Sequence, residues 1–153
     1  MASHRVVKAV LVAAIASFHL ASAAARGAEA PDTEALPWAS RVVRFSGAPG
    51  GICAVVGQAD AELATALSKE GSFVVHCLAP DPAACDSLRK AIRSRGLYGT
   101  VSADTLEGGR LPYTDNLVNI VLVDSYPALV RGGLAPDEVV RGLAPLGTAQ
   151  GGT

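Results

Sequence analysis

The stretch GGICAVVGQADAELATAL, residues 50–67, decides the fold. Ile52, Cys53, Ala54, Val55 and Val56 form an unbroken apolar run that reads as a buried strand. Gly57 breaks the run, and from Asp60 to Lys69 the pattern resumes at helical spacing, with Asp60 as N-cap and Gly71 placed as a C′ glycine. A strand, a tight turn and a helix aim backbone N–H groups and a helix N-terminus at one point. Such a point binds phosphates, ribose hydroxyls or carboxylates.

The same alternation continues outward from this unit. Residues 73–78 (FVVHCL) give a second strand, and Asp81-Pro82 opens a second helix with Asp as N-cap and Pro in the first turn. Ala84, Cys85, Leu88, Ala91 and Ile92 form its apolar stripe, Arg89, Lys90, Arg93 and Arg95 face water, and Gly96 ends it. Residues 98–102 suit a short third strand. A polar loop reaches Asn116, and LVNIVLV (117–123) is apolar on both faces, as a central strand covered by helices requires. Pro136 to about Leu143 reads as a last helix, stopped by Ala144-Pro145-Leu146-Gly147. Strands alternating with helices imply an α/β fold: a partial doubly wound parallel sheet of about four strands. Residues 148–153 read as a polar Gly-rich tail, so the fourth strand is expected to lack a neighbour and the domain to be incomplete.

Upstream, residues 1–25 have a basic start (His4, Arg5, Lys8), an apolar core from Ala9 to Leu20 and small-x-small sites around Ala23 to Ala25. Those are the parts of a secretory signal peptide, so the protein is expected to be exported, periplasmic or extracellular. Residues 26–49 read as a linker and lead-in helix, with Trp38, Val42 and Phe45 at helical spacing, ahead of a domain at 50–147.

Composition narrows the function classes. The chain of 153 residues suits one domain, and its formal charge of −1 and 5% aromatic content argue against a nucleic-acid partner. No 20-residue apolar span crosses the body, so no membrane contact is expected beyond the signal peptide. Cys53, Cys77 and Cys85 read as small buried hydrophobes, no metal-ligand spacing is present, and His76 reads as a packed core histidine.

Four local motifs then converge. The strand–Gly57–helix turn, Ala79-Pro80-Asp81-Pro82, LPYTDNLVNIVLVD (111–124) and EVVRGLAPLG (138–147) follow in the order and spacing of class I S-adenosylmethionine-dependent methyltransferases, which the chain resembles over residues 50–147. RSRGLYGTVS (93–102) with LPYTDNLVN is similar to the methyltransferase-like module of exported bacterial proteins that precedes a quinoprotein-type β-propeller, a possible partner domain in full-length relatives. The resemblance implies S-adenosylmethionine as cofactor and a small-molecule or protein methyl acceptor. It implies cofactor contacts at Gly57, Ala59, Asp60, Ala61, Ala79, Asp81 and Asp104, the last facing adenine. Asp124, with Ser125 and Tyr126 beside it, falls where the family presents a catalytic base or positioning group.

The cofactor motif departs from the family pattern. Val55 stands at its acidic position, and Ala59 and Ala61 replace the second and third glycines of acid-x-G-x-G-x-G. Ala79 replaces the acid that holds the ribose hydroxyls. A methyl group where backbone must approach a ligand costs roughly 1 kcal/mol or more. Each lost charge-assisted hydrogen bond costs about 1.5–3 kcal/mol. At about 1.4 kcal/mol per tenfold, these changes move a micromolar site toward millimolar. A non-catalytic interaction or scaffold module is therefore the alternative expectation. An NAD-type domain fits less well, because Ala79 offers the ribose no acceptor.

Overall fold

A computed structural model describes residues 35–57, 60–124 and 126–151. The signal-peptide and linker assignments for residues 1–34 lie outside the described residues, as do the side chains of residues 35–37 and 126.

The sheet has five strands: β1 (Gly50–Val56), β2 (Ser72–Ala79), β3 (Val101–Thr105), β4 (Val118–Val123) and β5 (Leu143–Gly151). Their order across the sheet is β3-β2-β1-β4-β5, and every neighbouring pair is parallel. The helices are α1 (Ala35–Ser46), α2 (Ala61–Lys69), α3 (Pro82–Ser94), α4 (Tyr126–Arg131) and α5 (Pro136–Gly142).

Period-2 alternation splits the strands between two cores. Cys53, Val55, Val75, Cys77, Ala103, Ile120 and Leu122 pack with Ala39, Val42, Leu67, Cys85, Leu88 and Ile92 of α1, α2 and α3. On the opposite face Ala54, Val56, Leu78, Val121 and Val123 pack with Leu111, Leu134 and Val139. The three cysteines are buried and free, as the sequence implies. At the far end of β1, the Asn119 side chain of β4 accepts the Ile52 amide at 3.0 Å, tying the starts of the two central strands.

Several expectations need correction. The polar tail is not a tail: residues 148–151 are the last four residues of β5, hydrogen-bonded along β4. The fourth strand therefore has its neighbour. Between Leu143, opposite Val118, and Thr148, opposite Ile120, the chain bulges outward, carrying Leu146 at φ +67°. The third strand begins three residues later than expected, because residues 97–100 form a turn closed by Val101 N–H donating to Leu97 O at 2.9 Å. On α1, Val42 is buried and Trp38 packs against the core as its spacing implies, but Phe45 is exposed and Ala39 joins the buried face. A short helix, α4, follows β4 where the sequence shows no clear period. Gly71 follows the α2 C-cap but needs no positive φ; a Cβ there would stand 2.8 Å from the Phe73 ring.

Candidate functional site at the carboxyl ends of the strands

In an open parallel sheet the ligand crevice lies beyond the carboxyl ends, where strand order reverses. Here the reversal falls between β1 and β4. Backbone hydrogen bonds stitch these ends into one row. Leu106 N–H donates to Ala79 O at 2.8 Å, Gly57 N–H to Leu78 O at 2.9 Å, and Asp124 N–H to Val56 O at 2.9 Å. Gly57 is the centre of the row. It sits at φ +111°, and a Cβ there would stand 2.9 Å from Asp124 O and 3.2 Å from Leu129 Cδ1. Glycine is required by both conformation and space.

The structure brings Gly57, Ala79 and Asp124 together along this row, with Asp60 and Asp81 at the adjoining helix starts. Asp60 Oδ1 accepts Leu63 N–H at 2.6 Å and Asp81 Oδ1 accepts Ala84 N–H at 2.9 Å, so each carboxylate caps its helix. Ala61 begins α2 and is buried, while Ala79 closes β2 with its methyl in the core shared with α1–α3. Asp124 is exposed at the end of β4. Ala59 and Ser125 lie outside the described residues, and Tyr126 is placed only as the first residue of α4.

Asp104 belongs to a different constellation. Its Oδ1 accepts Arg89 Nη2 at 2.6 Å, and its Oδ2 lies 3.6 Å from His76 Nε2. Arg89 reaches it from α3, and its Nε also donates to Ala103 O on the edge strand β3 at 2.9 Å. On the other side, His76 Nδ1 lies 2.8 Å from the Tyr113 hydroxyl, and the two rings meet edge-on at 84°. His76 is thus not a packed core residue: among the described residues it is half-buried and linked to polar groups on both ring nitrogens. Burial holds its pKa below the ordinary 6.5, outweighing the pull of Asp104 in the other direction. Burial also raises the Tyr113 phenol. Sequence alone offers little signal for this chain, because β2, β3 and the loop before β4 meet only after folding.

The loop is fixed at its other side by charge. Glu138 Oε1 accepts the Leu111 amide at 3.0 Å and Arg141 Nη2 at 2.6 Å, and its Oε2 accepts Arg141 Nε at 2.9 Å. Arg141 also donates to Tyr113 O and Asp115 Oδ1. Among the described residues no three His, Cys, Asp or Glu side chains gather to hold a metal, and no helix is long and apolar enough to cross a membrane.

The chain matches no family model and no curated protein. Solved structures do match. A Methanococcus maripaludis protein assigned as an S-adenosyl-L-methionine-dependent methyltransferase superposes with a TM-score of 0.64 at 20% identity, over 77% of this chain and 56% of that one. The geranyl diphosphate C-methyltransferase of Streptomyces coelicolor A3(2), solved with Mg2+, geranyl diphosphate and S-adenosyl-L-homocysteine, gives 0.62 at 15% identity, over 73% and 44%. The fold is that of S-adenosylmethionine-dependent methyltransferases. It is not confined to them: the [4+2]-cyclase SpnF superposes with a TM-score of 0.57 at 19% identity, over 71% of this chain and 41% of that one. The chain spans about half the length of these structures.

Proposed function

We propose that this chain carries an S-adenosylmethionine-type cofactor crevice of a methyltransferase-like domain, with affinity reduced by its alanine substitutions. The observation behind it is the row at the carboxyl ends, with Gly57 at positive φ against Asp124 O. A cofactor fits the backbone of this row better than its side chains. Gly57 leaves space, and Asp60 and Asp81 each commit one oxygen to a helix cap, keeping the second for a ribose hydroxyl. Asp104 is engaged by Arg89 and His76, so an adenine amino group would have to compete with a 2.6 Å ion pair. When bound, the cofactor supplies the activated methyl group. Orientation of the acceptor then carries most of the catalysis, with Asp124, exposed at the rim, as the candidate base. The acceptor is a small molecule or a protein, and the N-terminal segment exports the domain.

Calorimetry with S-adenosylmethionine and S-adenosylhomocysteine tests the reading. Heat and a thermal shift at millimolar ligand are expected, with at least tenfold tighter binding in an Ala59→Gly/Ala61→Gly/Ala79→Asp variant. No binding by either protein removes the cofactor reading. A non-catalytic interaction module would then remain, a reading favoured by the engagement of both Asp104 oxygens by Arg89 and His76.

A further inference from the structure

We propose that the outer edge of β5, with Leu146 beside it, is the surface through which two copies of this chain pair about a two-fold axis. The pairing is independent of what the crevice binds. Leu146 supplies the first observation. It sits in the bulge between Leu143 and Thr148 at φ +67°, and it is 98% exposed. The left-handed region crowds the Cβ of a leucine, and an isobutyl group left in water gains nothing from burial. Within one copy both costs stand without compensation; a partner that covers the side chain removes the second. Leu146 is not isolated. Val140 on α5 is exposed, as is Leu117, whose N–H donates to Gly142 O at 3.0 Å. The three border the join between α5 and β5.

The second observation is an asymmetry between the two edges of the sheet. Edge strands escape association by being short, by carrying charge or by having their outward backbone groups covered. β3 has all three guards. It is five residues long and bears the Asp104–Arg89 ion pair. Thr100 O and Leu106 N–H are bonded to β2, so Ala103, of opposite parity, turns its carbonyl outward, and Arg89 Nε caps that oxygen at 2.9 Å. β5 runs for nine residues, and no charged side chain stands between Gly142 and Gly151. Pro145 and the bulge guard only its first half; Thr148 to Gly151 lie beyond them. A strand edge is recognised by another strand edge, and among the described residues β5 is the edge this chain leaves unguarded. Antiparallel pairing of β5 with its own copy is self-complementary and opposes no like side-chain charges. It also brings both Leu146 side chains to one seam, and a net charge of −1 repels the second copy little.

Sedimentation velocity of the full chain across a concentration series tests the pairing, and a monomer–dimer equilibrium is expected. Leu146→Asp should raise the dissociation constant about tenfold or more, because it sets two carboxylates in the seam. Aspartate enters the left-handed region more readily than leucine, so the variant should keep its fold, which its urea midpoint checks. Gln150→Lys places like charges on the pairing half of β5 and serves equally should Leu146→Asp misfold. Phe45→Asp, at an exposed apolar residue of α1, should leave the equilibrium unchanged. A wild type that stays monomeric throughout overturns the proposal. So does a dimer that both Leu146→Asp and Gln150→Lys leave intact, or one that Phe45→Asp weakens as much.

Discussion

Gly57 at the end of β1 leaves no room for a side chain against Asp124 at the end of β4: a Cβ would stand 2.9 Å from the Asp124 carbonyl oxygen. The two central strands thus meet where the candidate crevice begins. Gly57→Ala combines a strained φ of +111° with a backbone clash. The first costs roughly 1 kcal/mol or more. Gly99, at φ +100° with open space within 4 Å of where its Cβ would stand, carries the φ cost alone. Urea unfolding should therefore show Gly57→Ala losing about 2–4 kcal/mol and Gly99→Ala about 1 kcal/mol. Equal losses would mean that the strand ends have room to separate.

Glu138 makes a pH prediction with a definite sign. Arg141, through paired hydrogen bonds, holds its carboxyl below the ordinary 4.5, and the Leu111 amide adds to this. A depressed carboxylate contributes stability above its unfolded pKa and loses it as pH falls through the folded value. The urea midpoint should then fall as pH drops below about 4.5, and Glu138→Gln should flatten that slope while lowering stability at neutral pH. An unchanged slope would assign the acid sensitivity to other carboxylates.

How far sequence leads here depends on what each element needs. β1, β2, β4 and α3 bury whole apolar stripes, so their composition declares them, and Asp60 and Asp81 cap as their positions require. β5 escapes because an edge strand needs backbone pairing along one side and little else. Thr148-Ala149-Gln150-Gly151 has no apolar alternation to read, and its register follows from β4. Tyr98 resembles a strand residue locally, yet the turn back to Leu97 O leaves it exposed. At the site, backbone geometry around Gly57 was legible. The Arg89–Asp104–His76–Tyr113 chain was not, because it joins residues from four separate segments.

The buried thiols should be chemically silent in the folded protein. Burial pushes Cys53 and Cys77 up to about 12, with weaker like-charge contributions, and Cys85 is buried beside the same core. Thiolate is the reactive form, so a disulfide reagent at pH 8 should label no cysteine in native protein and three after urea unfolding. Rapid labelling without denaturant would show that the α3 face of the sheet opens locally.

β5 offers a direct test of what the final residues contribute. It covers the edge of β4, whose Ile120 and Val121 lie in opposite cores and are fully buried. Ending the chain after Gly147 removes the pairing of Ile120 to Val123 with Thr148 to Gly151 and leaves a row of unpaired backbone groups on an apolar strand. Such an edge is a template for association. The shortened protein should show earlier, less cooperative urea unfolding and concentration-dependent aggregation by light scattering. Retention of wild-type unfolding would mean that β5 is a passive edge and that β4 is held by β1 and the two cores alone.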